Sequence, residues 1–272
     1  LKGIATLVRG YYNVVIRTYF IQKIRFSNID GLANFQYKQF VLGDSGRIQN
    51  TMSAEVARVL AAYNAYFATI QSWIMMLVYL GLAFFTNPQF AVLVIAGGML
   101  STFLYRKIYK LTKEASSKIS LGGHRFQREL IQMVANFKYL KATGYLEGYG
   151  KKLKGSVRYI LRQQKKIGAY NAILGASKEP LNIGVVVVVI LLQVYFFEAN
   201  LGTIILSLLF FYRALNFIMA LQTSWNNFLG HSGALANMTE FVNELTVNKE
   251  KYGTSSFKQL RTEIKVDAVD FY

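Results

Sequence analysis

The chain reads as an all-α membrane protein whose helices continue as long cytoplasmic stalks. Three observations predict this: long stretches without charge, a dense basic block set between them, and apolar residues on helical spacing through that block.

Residues 59–105 contain no Asp, Glu, Lys or Arg. One span needs roughly 20 apolar residues, so this run suits two helices and a turn. Asn87-Pro88 supplies a turn near its middle. Residues 181–212 form a second run, broken only by Glu198, and residues 214–239 form a third. Three such stretches in a soluble domain would aggregate in water. Lys2, Arg9 and Arg17 interrupt the first apolar segment, so it does not read as a signal peptide.

The formal net charge is +17. Such an excess can mark nucleic-acid binding, but its distribution argues against that here. Residues 106–166 hold sixteen Lys or Arg against Glu114, Glu129 and Glu147, and the block lies between hydrophobic hairpins. Retention of basic loops on the cytoplasmic side explains it without a nucleic-acid partner. The chain has no cysteine, which excludes disulfides and thiolate metal sites, and His124 and His231 lack metal-ligand spacing.

With residues 106–166 inside, the turns at 86–89 and 198–202 fall outside, and neither carries a basic residue. Spans are then expected at 69–85 outward, 90–105 inward, 180–197 outward and 203–222 inward. Residues 1–24 form a further inward helix, and an earlier helix is expected before it, for an even count of six. Residues 106–140 read as one helix, from Ile108, Leu111, Ala115 and Ile119 to Leu130, Val134 and Phe137. Residues 146–167 return beside it after a turn around Gly144. A shorter stalk lies between Arg25 and Arg58, with residues 27–35 at its tip. Gly43, Gly46, Gly122 and Gly123 read as turn residues, since no phosphate-loop pattern surrounds them. Residues 264–271 alternate like a strand after a polar stretch at 247–256. This predicts a division into a membrane domain at 1–245, a linker at 246–256 and the start of another domain at 257–272. No catalytic motif is seen.

The order of these parts resembles the transmembrane domain of ABC exporters. Gly46-Arg47-Ile48-Gln49-Asn50, followed by Glu55-Val56, is similar to the pattern entering that family's third helix. Tyr139-Leu140-Lys141-Ala142-Thr143-Gly144, then Glu147, resembles the segment before its second coupling helix. Leu201-Gly202-Thr203-Ile204 resembles its last outer turn, and Val269-Asp270-Phe271-Tyr272 its first nucleotide-domain strand. Residues 210–215, with Gln222, Asn226 and Asn227, look like the sixth helix of bacterial lipid-linked oligosaccharide flippases, and Val8-Arg9-Gly10 like their second.

The resemblance implies an ATP-hydrolysing translocase, working as a dimer with a second copy or a homologous half, in the cell membrane, a bacterial inner membrane being expected. It implies ATP and Mg held by nucleotide-binding domains beyond this sequence, with Tyr272 near the adenine. It implies coupling elements at Asn28, Ile29 and Asp30 and at Gly144, Tyr145, Leu146 and Glu147. The competing reading is the membrane and stalk region of a sensor. A sensor normally carries one or two hairpins and a heptad helix, whereas here two stalk pairs project and a strand follows.

Substrate residues follow from position. Arg213 lies about 15 Å into a span starting near Thr203, where a charge costs roughly 2.5–3.5 kcal/mol unless it meets a cavity or partner. Asn216, Ala220, Thr223 and Asn227 recur at three- or four-residue spacing with it. Lys2, Arg9 and Asn13 form a similar stripe. Acids to neutralise these groups are scarce, so an anionic cargo, such as the phosphate of a lipid-linked sugar, fits them.

Overall fold

The computed structural model describes residues 2–86, 88–197 and 201–251. Helices α1 (Lys2–Ala33), α2 (Tyr37–Leu42) and α3 (Ser45–Asn50) lead through a π-turn, Thr51–Glu55, into α4 (Val56–Thr86). Then come α5 (Pro88–Ala135), α6 (Phe137–Ala142), α7 (Leu146–Phe197) and α8 (Leu201–Val247). No strand occurs among the described residues, as an all-α class requires. The expected strand at 263–272 lies outside them.

The long helices have few breakers to stop them. The chain holds two prolines. Pro88 takes the first position of α5, where its missing N–H costs nothing. Pro180 sits inside α7, which continues through it. With 48 residues, α5 extends about 72 Å, more than twice the ~30 Å of a bilayer's hydrocarbon core. The 52 residues of α7 reach still farther.

Side-chain contacts set the helix directions. Tyr105 meets Ser177 at 2.6 Å, Ser156 donates to Glu129 at 2.6 Å, and Tyr149 donates to Gln132 at 2.9 Å. One register therefore holds α5 and α7 antiparallel from the apolar ends into the basic region. The expected pair of long helices in the 106–166 block is present, although the first ends at Ala135 and residues 137–142, expected in part to continue it, form the separate α6. Tyr79 stacks on Phe217 at 5.4 Å, and Tyr66 faces Phe228 at 6.0 Å, so α4 and α8 are antiparallel too. Gln222 donates to Ser101 at 2.6 Å and Gly233 to Ser116 at 2.9 Å, which makes α5 and α8 parallel. Phe20 stacks on Tyr63 at 4.4 Å, running α1 against α4.

These directions alternate along the chain, so the basic halves of α5 and α7 lie together at one end. At the apolar end Phe211, Ala214, Leu215 and Ile218 are buried against Met76, Leu80 and Val185. Farther down, Val56 and Val59 pack on Ala234 and Met238. Near the stalk tip Phe35 and Ile48 pack on Phe241 and Leu245.

Three local expectations change. Gly122 and Gly123 lie inside α5 and make no turn. A Cβ on Gly123 would come within 3.0 Å of the Asn50 side chain, so glycine there admits the neighbouring segment. At the first stalk, residues 27–33 continue α1, and the separate short helix is α2. After α8, which ends at Val247, the chain does not leave freely. Asn248 accepts from Gln36 N at 3.0 Å, Glu250 N donates to Asn34 at 2.7 Å, and Lys249 bridges Phe35. The remaining linker residues, 252–256, lie outside the described residues.

Candidate functional site

The sequence-selected face of α8 is only partly enclosed. Arg213 is exposed, and the flanking residues Phe211, Ala214 and Leu215 point into the helix packing. Asn216, Thr223 and Asn227 are half-buried. Thr223 donates its hydroxyl to Met219 O in its own helix at 3.0 Å, which satisfies it locally. Arg9 is exposed on α1 and donates to the Gln71 side chain of α4.

The α4–α8 register shows how far apart the two arginines sit. With Tyr79 beside Phe217 and Tyr66 beside Phe228, Gln71 lies level with Thr223. From that level Arg213 is about 15 Å along the helix axis. Within one chain, therefore, Arg9 and Arg213 do not share a single anion site.

Two other side chains on α8 are buried instead. Gln222 donates to Ser101 at 2.6 Å and to Thr102 at 3.1 Å, and Asn226 donates to Asn171 at 2.7 Å. These amides tie α8 to α5 and α7 where apolar contact carries no directional information. In the sequence both Gln222 and Asn226 stood out only within the sixth-helix resemblance.

The most enclosed polar cluster lies at the π-turn. A π-turn adds a residue to the helical repeat and re-aims the side chains around it. Glu55, 2 % exposed, accepts from Asn50 at 3.2 Å, from Arg58 at 3.1 and 3.2 Å, and from Ser120 at 3.3 Å. Arg58 also donates to Ser120 Oγ at 2.8 Å and to Ser116 O at 3.2 Å. Ser116 Oγ accepts from Gly233 N, and Asn237 donates to Thr51 at 3.0 Å. Side chains from α3, α4 and α5 thus converge on one carboxylate, and α8 joins the cluster through Ser116 and Thr51. Burial pulls the Arg58 pKa down, and the charge and hydrogen bond of Glu55 oppose that pull. His124, also buried, has its pKa lowered chiefly by desolvation, and its Nε2 has no partner. His231 is lowered by desolvation and then by the Arg58 charge. Sequence reading met Glu55 only inside a resemblance. It could not see that Ser116, Ser120 and Gly233 come to meet it.

Below this cluster, Asp44 caps α3 by accepting from Gly46 N at 3.0 Å and Arg47 N at 3.3 Å, and it accepts from Arg128 Nε at 3.2 Å. Arg47 pairs with Glu240 at 3.5 Å and with Glu244. These bonds lash the first stalk to α5 and α8.

The two proposed coupling elements differ in exposure. Asn28 is buried and donates to the Met238 sulfur at 3.3 Å, while Ile29 and Asp30 are exposed on the last turns of α1. Among the neighbouring residues, Tyr37, Phe40, Val41 and Leu42 of α2 are exposed and apolar. At the second tip, Tyr145 N donates to Leu140 O at 3.0 Å and Gly144 N to Lys141 O at 3.2 Å. This closes α6 with a Schellman turn, and Gly144 takes φ +69° as that turn requires. Tyr145 and Glu147 are exposed, Leu146 is half-buried, and Lys151 pairs with Glu147 at 2.9 Å. Tyr272 lies outside the described residues. Set against known proteins, the chain matches no protein-family model and no curated protein.

Proposed function

We propose that this chain is the multi-pass membrane domain of an ATP-driven exporter or flippase, moving an amphipathic anion such as a lipid-linked saccharide by alternating access. The observation that carries the reading is the shared polarity of α5 and α7. Both turn their apolar halves to one end and their basic halves to the other.

Exposure supports a bilayer at the apolar end. Among the described residues one helical stretch, Ser45–Phe85, is long and apolar enough to cross a membrane, and 11 % of its most apolar window is buried. A core helix of a soluble protein would be covered. Here Trp73, Ile74, Val78 and Phe84 face outward, where lipid can cover them.

In this reading the stalks carry work between an ATP-hydrolysing domain and the spans. ATP and Mg would be held by that domain, which no described residue supplies, so no step is assigned to them. The paired α5 and α7 form a lever braced by the Glu129–Ser156 and Tyr105–Ser177 bonds. Motion at the α6–α7 tip would pass along it to the apolar end. The Glu55 cluster joins α4, α5 and α8, so the spans would shift together.

The test is to reconstitute the full-length protein, with its ATPase domain or subunit, in liposomes. ATP-dependent movement of a fluorescent lipid-linked saccharide to the opposite leaflet is expected. A full-length sequence lacking a phosphate loop, or a stalk that leads into a histidine-kinase helix, would sink the reading.

A further inference from the structure

A cleft of about 780 Å³ opens between α4, α5 and α8. Its walls are apolar: Trp73, Met76 and Leu80 on one side, Met99 and Phe103 on another, Ile218 behind. It runs along α5 from Gly98 to Tyr109, about 16 Å of axis. Thr102 and Gln222 also line it, bonded to each other, and its charge stands at one end, where Arg106 and Tyr109 lie.

That end has a particular place in the sequence. Arg106 is the first charge after the uncharged residues 59–105. It therefore marks the level at which the apolar half of α5 gives way to the basic half. Lys110 lies one turn on, on the same side of the helix, and Lys113 follows. Among the described residues no carboxylate pairs with Arg106. The cleft thus offers hydrocarbon depth for a chain and unpaired positive charge at its mouth.

We infer that this cleft holds an anionic phospholipid of the cytoplasmic leaflet, with an acyl chain between α4 and α5 and its phosphate on Arg106. The charge selects the headgroup, because a guanidinium presents two parallel donors to phosphate oxygens. The apolar walls select an amphiphile over a free anion. The inference rests on the membrane reading above, and it goes beyond it by naming a lipid that would stay bound and is not cargo.

The experiment measures lipid retention by native mass spectrometry on the delipidated full-length protein, offered phosphatidylglycerol or phosphatidylcholine. The parent should retain phosphatidylglycerol about fivefold over phosphatidylcholine, the ratio expected from one basic side chain at an anionic surface. Arg106→Gln should abolish the preference, and Lys107→Gln should leave it. Met99→Trp, which fills the exposed cleft wall, should lower retention of both lipids. Equal retention by the parent, or an equal loss in Lys107→Gln and Arg106→Gln, would overturn the inference. So would a disulfide dimer through Met99→Cys in this cysteine-free chain, since a second copy would then cover the cleft. Carbonate-resistant membrane insertion, measured in parallel, separates failure of this site from failure of the membrane reading.

Discussion

Arg58 donates to Ser120 Oγ at 2.8 Å, and both contact Glu55, so one buried carboxylate fastens α4 to α5. Replacing only one partner leaves an uncompensated buried charge. Arg58→Met is expected to cost roughly 3–5 kcal/mol, seen as a lower melting temperature in detergent. Arg58→Met with Glu55→Met should recover most of that loss. A double variant no more stable than the single would refute a charge-pairing role.

The histidines predict a pH dependence. Burial lowers the folded-state pKa of His124 and His231 below the ordinary 6.5. The unfolded chain then binds protons that the folded chain resists. The two groups are neutral to stability above pH 6.5 and destabilise the fold progressively as pH falls from there toward their folded values. Thermal stability should fall from pH 7 to pH 5, and His124→Gln with His231→Gln should flatten that slope. An unchanged slope would assign acid sensitivity to other groups.

Close packing of α5 on α8 depends on Gly233. A Cβ there would lie 2.5 Å from Ser116 O, a backbone atom with little room to yield. Gly233→Ala should destabilise by about 1–3 kcal/mol. At Gly168, within α7, a Cβ meets nothing within 4 Å, so Gly168→Ala should stabilise by roughly 0.5–1 kcal/mol through helix propensity. Denaturation of the two variants side by side checks the contrast.

The second stalk tip separates folding from coupling. Gly144→Ala strains a residue at φ +69° and should cost about 1–2 kcal/mol. Tyr145→Asp keeps the backbone and changes only an exposed side chain, so the protein should fold and insert normally. If the tip docks on an ATPase domain, ATP hydrolysis should persist in this variant while transport is lost. Full transport would remove Tyr145 from the coupling surface.

Arg9 and Arg213 lie at different levels, so their contributions to transport should be independent. Arg9→Gln and Arg213→Gln should each reduce handling of an anionic lipid-linked substrate. The double variant should be additive within about 0.3–0.5 kcal/mol in substrate-stimulated ATPase, as for groups without a shared partner. Strong coupling would mean that both arginines grip one phosphate, which the arrangement of a single chain does not bring about.

By itself the sequence determined the helical class, the alternation of apolar and basic stretches, and the long α5–α7 hairpin. Each follows from local quantities: the absence of charge over residues 59–105, the crowding of Lys and Arg at 106–166, and the scarcity of proline. The turn at Gly144 was legible because a left-handed backbone favours glycine there. Only the tertiary structure decided which polar residues are enclosed. Glu55, Ser116, Ser120 and Asn237 stand far apart in the chain and share a cluster because a π-turn and three helices bring them together. It also decided that Gly122 and Gly123 serve close helix contact, that α2 and not the end of α1 is the separate element of the first stalk, and that Arg9 and Arg213 are offset. Periodicity along one helix reports which residues share a face. Which face a neighbour covers, and at what height, depends on registers between helices that no single stretch of sequence contains.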